Sequence, residues 1–340
     1  MQYVKSSISS SASLNDVADW IELKTLQEID TKYKFSLLYR MLDDEGDSAA
    51  TTFEKADSEH EEVVSQWLGE IGERAANLGD AYPFLVTNSE IKLKDLTSDL
   101  NQGQYAYILC LLLSHAKDTD AIDGKKFLNI GKNDPARELF QIISTIAASG
   151  YLNGSSVSFG WPRQDKTKFP AALKRVIQLT NDGAKYSSTP HPGAPKRVKD
   201  FEIDIVSWIP TNDNLPNKMF LVSQVASGYN WESKPLDNKI LASIDCWLER
   251  HFSSRFNIAT GLFIPFCIIP KHAETVSERL SFLSGNKVFN LIFYRNRIPY
   301  YVNQVFKNKL QSTAGIIVER TDDFSKIITW VDEKLASLHQ

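Results

Sequence analysis

The sequence predicts an α/β protein in which a helical N-terminal region is followed by a mixed β-sheet flanked by helices. Three observations lead there. Up to about residue 126 the apolar residues recur at helical spacing, first as Val17, Trp20, Ile21 and Leu23 and later as Val63, Val64, Trp67, Leu68 and Ile71. Two strand-like runs, Phe201 to Ile209 and Lys218 to Ala226, are then joined by PTNDNLPN, whose Pro, Asn and Asp residues are turn formers. Beyond that hairpin, strand-sized apolar runs alternate with helical ones, the pattern of a sheet covered by helices.

Taken in order, Leu14 to about Lys126 shows no convincing strand, and residues 1–125 read as one helical domain with 126–340 as the second. A chain of 340 residues favours two such units. Asp43 to Glu62 is acidic and poor in apolar residues, so it reads as an exposed loop or a solvated helix face. Gln104 to His115 reads as a buried helix, and AKDTDAIDGKK as a surface connection. Asp134-Pro135 then opens a helix with Leu139, Ile142, Ile143 and Ile146 on one stripe, ending at Gly150. VSFGW is strand-sized, Pro170 to Leu179 is helical, and the Pro- and Gly-rich stretch from Ser187 to Pro195 is a loop. After the hairpin come a helix (Leu236 to Arg250), a strand (Gly261 to Ile269), a helix (Ala273 to Leu283), strands at Val288 to Arg295 and Gly315 to Glu319, and a last helix from Asp322 to Leu338.

Composition narrows the function classes. Hydrophobic residues make up 42% and charged residues 24%, the mix of a soluble globular protein. No apolar run reaches the roughly 18 residues of a membrane span, and the Ser-rich start lacks the apolar stretch of a secretory signal, so a cytoplasmic protein without a membrane partner is expected. Cys110, Cys246 and Cys267 are scattered without CxxC spacing, which makes them buried thiols and not disulfides or zinc ligands. The histidines show no HxxxH or HxH spacing, and no GxxxxGK[ST], GxGxxG or GxSxG is present. A net charge of −4 means that any nucleic-acid surface must be a local basic patch.

The chemistry concentrates in the hairpin. Asp204 lies between Ile203 and Ile205 in a run that would otherwise be core, and burying a carboxylate costs several kcal/mol unless it is paired or holds a cation. Asp200 and Glu202 compete with it, because strand alternation puts all three on one face; the apolar neighbours single out Asp204. Gln224 ends the second strand, just before Ser227-Gly228, where its side-chain oxygen can reach the site of Asp204. Two oxygen ligands on adjacent strands suit Mg²⁺, with Mn²⁺ as an alternative. Lys234 follows in NWESK as a point charge able to fold back over the site, while Tyr229 and Trp231 pack beside it or stack on a base.

This arrangement resembles the PD-(D/E)XK nuclease superfamily over roughly Asp134 to Arg297. There a helix bearing an acid precedes a strand with Asp and then a strand with an acid or Gln and usually a Lys. The helix acid corresponds to Glu138 in DPARELFQII, the strand Asp to Asp204 in KDFEIDIVSW, and the second-strand ligand to Gln224 in LVSQVASGYNW. The family's lysine normally stands two residues further on, where this chain has Ala226, and Lys234 is the candidate to replace it. The resemblance implies a restriction endonuclease-like fold, a metal site of Glu138, Asp204 and Gln224, and Mg²⁺-dependent hydrolysis of phosphodiester bonds in double-stranded DNA, in the manner of a restriction or anti-phage defence effector. Lys196, Arg197, Lys199, Arg295 and Arg297 are then the expected phosphate contacts. The helical N-terminal region would sense or dock a protein partner, and a homo-oligomer is an open option. A catalytically inactive nuclease-fold interaction protein and an RNA-cleaving effector are the alternatives.

Overall fold

The computed structural model describes residues 4–9, 11–45, 53–94, 100–116, 121–122, 134–161, 163–194, 198–234, 244–254, 257–270, 275–286 and 291–339. The chain is α/β and divides into two compact units: Met1–Ala136 together with Lys326–Gln340, and Arg137–Ser325. The expected boundary near residue 125 therefore falls about ten residues early, and most of the last helix belongs with the N-terminal unit.

In the N-terminal unit, α1 (Leu14–Gln27) starts where the Ser13 hydroxyl accepts the Asp16 N–H. β1 (Lys32–Lys34), α2 (Ser36–Glu45), α3 (Phe53–Leu78), β2 (Phe84–Val86), β3 (Glu90–Leu93) and α4 (Gln102–Ser114) follow. The acidic stretch is thus helical over its second half, and residues 46–52 lie outside the described residues. A three-stranded antiparallel sheet in the order β1-β3-β2 corrects the expectation of no strand here. KYK, FLV and EIKL are too short to display a period of two, so their pairing is decided by tertiary contact. The fully buried Arg74 of α3 joins Asp19 at 2.6 Å and Glu22 at 3.1 Å on α1. Glu22 also accepts the hydroxyls of Tyr82 (2.9 Å) and Tyr107 (2.8 Å), and His115 meets Asp19 at 2.8 Å. Fully paired, such a network fixes how α1 sits on α3.

At the end of the first unit's leading stretch, Asp134 accepts the Ala136 N–H at 2.9 Å and opens α5 (Ala136–Leu152) as expected, and the rest of α5 belongs to the second unit. Gly150 does not end the helix: a Cβ there would lie 2.2 Å from the Tyr301 carbonyl oxygen, so the glycine marks a close approach of backbones. β4 (Ser155–Ser158), α6 (Phe169–Thr180), β5 (Lys185–Tyr186), β6 (Ile205–Ile209), β7 (Met219–Val225), β8 (Leu248–Arg250), β9 (Ile258–Phe263), α7 (Val276–Asn286), β10 (Leu291–Phe293) and α8 (Ile298–Lys307) complete it. α9 (Phe324–Leu338) leads back to the first unit.

The sheet is mixed, in the order β10-β9-β7-β6-β4. β4, β6 and β7 are antiparallel neighbours, whereas β9 runs parallel to β7 and β10 parallel to β9. The β6–β7 hairpin carries the register Ile205↔Ser223 to Ile209↔Met219. On one face Val157, Val206, Trp208, Phe220 and Val222 pack against Phe169, Leu173 and Val176 of α6, and the Phe169 ring is 5.1 Å from that of Phe201. Asp182, fully buried after α6, accepts from the Asn217 N–H (2.8 Å), the Lys218 N–H (3.2 Å) and both the backbone (2.8 Å) and hydroxyl (2.9 Å) of Ser254. It ties the start of β7 to the approach to β9.

Several boundaries differ from expectation. Phe201 and Glu202 take left-handed φ values of 53° and 60°, so β6 begins only at Ile205. Of the expected helix Leu236 to Arg250, residues 236–243 lie outside the described residues and Leu248–Arg250 is a strand paired with β5. Gly315 to Glu319 contributes one parallel bridge, Ser156↔Val318, and α8 was not anticipated. No helix among the described residues is long and apolar enough to cross a membrane.

Candidate active site

The hairpin register ends at Ile205↔Ser223, which leaves Asp204 just past the strand end, beside Ser223 and Val225 of β7. The Asp204 N–H donates to the Ser223 carbonyl at 2.9 Å, and its own carbonyl accepts from Phe159 (2.7 Å) and Gly160 (3.0 Å) beyond β4. Three chain segments thereby fix one aspartate. Its Oδ2 accepts the Val225 N–H at 2.7 Å. Its Oδ1 faces Gly160, where a Cβ would lie 2.3 Å from that oxygen and 2.8 Å from Gln141 Nε2. Glycine is required there because any side chain would fill the space shared by the carboxyl and the Gln141 amide.

Gln224 is 5% exposed and donates through Nε2 to Glu202 Oε2 at 3.0 Å. That bond orients the amide, because turning it over would set its carbonyl oxygen against a carboxylate. The other end, Oε1, is buried without a hydrogen-bond partner among the described residues, a condition that costs about 1–3 kcal/mol unless something else fills the role. Glu202 can reach Gln224 because of its left-handed backbone. Asp200 holds that turn, accepting from the Glu202 N–H at 3.0 Å and the Trp161 N–H at 2.8 Å. Alternation along an extended strand does not apply to Asp200, Glu202 and Asp204; a turn gives each carboxylate a different job.

Burial pushes the Asp204 carboxyl up to about 7. The Val225 N–H and the Lys234 ammonium pull it down, while the negative charges of Asp200 and Glu202 push it further up. Lys234 follows a single turn of 3-10 helix at Trp231–Ser233 and makes no ion pair with a described residue, yet its charge is felt at Asp204. Trp231 packs against the core of Leu262, Ile264 and Ile292, and Tyr229 lies tilted over Phe266 at 4.8 Å.

Asp204 thus lies beside the end of β7 that carries Gln224 and feels the charge of Lys234, whereas Glu138 is engaged elsewhere. In the first turn of α5 its carboxylate is bound by Arg320 at 3.0 Å, which also pairs with Asp323, and the Glu138 side chain is 55% exposed. The charges acting on Asp204 are those of Asp200, Lys234 and Glu202. From α5 the site receives instead Gln141, one turn further along the same helix, whose Nε2 also donates to the Ser158 hydroxyl at 3.1 Å. A polar residue inside the Leu139–Ile146 stripe was the sequence signal for it.

Among the expected phosphate contacts, Arg295 is withdrawn: it is fully buried, its Nη2 2.9 Å from the Cys267 sulfur. Arg297 donates to the Ile292 carbonyl at 2.9 Å and lies over the Tyr294 ring. Lys199 is exposed, and Lys196 and Arg197 lie outside the described residues. Arg163, not anticipated, sits beside Lys199 and donates to its carbonyl at 2.7 Å.

Among the described residues no group of three or more His, Cys, Asp and Glu side chains is arranged to hold a metal ion alone. What the site offers is one carboxyl oxygen and one buried amide oxygen that has no hydrogen-bond partner among the described residues, with Gly160 leaving room for the carboxyl and the Gln141 amide. Such a donor set fits Mg²⁺, which usually takes one or two protein oxygens and completes its shell with water and substrate phosphate.

A mixed five-stranded sheet flanked by helices, with a carboxyl–amide pair at the mouth of its hairpin, defines the class: an α/β protein with a polar site at the strand ends. Against family models, curated proteins and solved structures alike, the chain gives no match.

Proposed function

We propose that the second unit is a metal-dependent phosphodiesterase acting on nucleic acid, an endonuclease of the PD-(D/E)XK kind with DNA as substrate. The observation that carries this reading is the buried Gln224 Oε1, without a hydrogen-bond partner among the described residues, on the strand next to a buried carboxyl pushed up to about 7, two costs that a shared hard cation would offset. Asp204 Oδ1 and Gln224 Oε1 would hold it. When bound, Mg²⁺ supplies positive charge to the scissile phosphate and acidifies the attacking water. Glu202 keeps the Gln224 amide turned the right way, and the Val225 N–H holds Asp204 Oδ2, leaving Oδ1 for the site. Lys234 supplies the positive charge that favours the ionised Asp204 and helps to position the nucleophile, and the Gln141 amide is placed to orient a water on the same side. Exposed Lys199 supplies a backbone-phosphate contact.

Incubation of the full chain with plasmid DNA in Mg²⁺ or Mn²⁺ tests this. Cleavage that disappears with a chelator and in Asp204→Ala is expected. A second reading, an interaction protein that keeps the fold without the activity, is favoured by Glu138 being held by Arg320 and by Ala226 standing in the place of the family's lysine. Intact DNA and intact RNA under every metal would establish that second reading, and cleavage of RNA alone would move the substrate to RNA.

A further inference from the structure

Trp161 is 42% exposed although it stands next to Gly160, the residue that lines Asp204 Oδ1. An indole left in water forgoes the stabilisation that burial would give, so its exposure calls for a reason. Its backbone is not loose. The Trp161 N–H is held by Asp200 Oδ2 at 2.8 Å, and the preceding N–H groups of Phe159 and Gly160 are held by the Asp204 carbonyl. The position of this aromatic residue is thereby tied to the two acids of the site.

Beside it is a cation that is tied down as well. The Arg163 guanidinium lies 5.8 Å from the Trp161 ring centroid and 5.0 Å from that of Phe159, while its Nη2 donates to the Lys199 carbonyl and its Nη1 to that of Thr167 at 3.2 Å. An exposed indole, a fixed guanidinium and an exposed lysine therefore lie close together on segments bonded to Asp200 and Asp204. Cations beside an exposed aromatic face are the composition that binds single-stranded nucleic acid, where bases stack on the ring and phosphates meet the cations. A paired duplex offers no free base face for stacking inside the helix, so a ring in this place suits an unpaired base.

Resting on the phosphodiesterase reading above, we propose that the site takes its nucleic acid with an unpaired base beside the scissile phosphate, and that this base stacks on Trp161. The duplex expected from the resemblance would then be cut only where it is frayed, flipped or already single-stranded. The recognised chemistry is the unpaired nucleobase, in DNA or RNA.

The test uses the full chain in Ca²⁺, with fluorescence anisotropy of labelled oligodeoxythymidylate, oligouridylate and a blunt DNA duplex of equal length. Trp161→Ala should weaken single-strand binding about tenfold or more, in line with the loss of one stacked base. Trp161→Phe should retain most of it, and duplex binding should be unchanged in both. Equal weakening on single strand and duplex, no weakening on either single strand, or no binding of any single strand by the unaltered protein overturns the proposal. A Trp161-dependent loss on one of the two single strands supports it and says whether DNA or RNA is the source. Failure of the nuclease reading is distinguishable: binding that depends on Trp161 with no metal-dependent cleavage removes the reaction and leaves the stacking site, whereas cleavage unaffected by Trp161→Ala in a protein that binds single strands without Trp161 does the reverse.

Discussion

At Asp204 a single carboxyl converts burial into pH dependence. Its folded pKa of about 7 lies above the 3.8 of a free aspartate, so the folded protein binds more protons than the unfolded chain between those values. Stability is therefore unpenalised below about pH 4, falls as the pH rises through the folded value, and stays lowered above it. Asp204→Asn, which keeps an acceptor for the Val225 N–H, should raise the melting temperature at pH 8 and leave it unchanged near pH 4. The gain would be at most a few kcal/mol, from about 1.4 kcal/mol per pKa unit. An equal effect at both pH values would show that the carboxyl is not strained by burial. Added Mg²⁺ should stabilise the unaltered protein more at pH 8 than at pH 5, because the ion competes with the proton. Asp182 is a second buried carboxyl, and its oxygens are met by four donors. Asp182→Ala would strand three N–H groups and a hydroxyl, and a loss of roughly 3 kcal/mol or more is expected in chemical denaturation.

Among the elements, α5 shows what could and could not be read in advance. Its cap at Asp134 and its apolar stripe are local features, and so are the hairpin and its turn, which is why these were legible together with Asp204 and Gln224. The ion pair between Glu138 and Arg320 joins residues 182 positions apart, and no local pattern announces it. The left-handed pair Phe201–Glu202 was hidden because neither residue type favours positive φ; a local bond from the Glu202 N–H to Asp200 and a long-range one from Gln224 to the Glu202 carboxylate hold the turn. Two predictions separate the faces of α5. Glu138→Gln should change the cleavage rate by no more than about twofold, whereas Gln141→Leu should lower it about tenfold or more by misplacing the water; a reversal of these effects in steady-state kinetics would return the helix acid to the site. Gly160→Ala should abolish cleavage with only about 1–3 kcal/mol lost in stability, since the added methyl group meets the Asp204 carboxyl in a conformation any residue can adopt.

Across the whole molecule, the N-terminal unit is built from two separate stretches of chain, Met1–Ala136 and Lys326–Gln340. The later stretch contributes buried Ile327, Trp330, Val331, Leu335 and Leu338, and bonds from Lys334 and Trp330 to Asp134. At about 1.5–3 kcal/mol for each buried apolar side chain, losing it would consume most of a typical domain's stability. A chain ending at residue 325 should lose hydrogen-exchange protection in α1, α3 and α4 while β6 and β7 keep theirs; protection retained throughout would show that the N-terminal unit is finished without α9. The same division sets an order during translation. Residues 137–325 emerge from the ribosome as a complete unit while the helices made first still wait for their closing segment, so the hairpin with its carboxyl can mature ahead of the unit that precedes it in the message. A stalled or prematurely terminated chain would then carry a finished sheet beside an unfinished helical region with its apolar side uncovered, a ready target for chaperones and proteases.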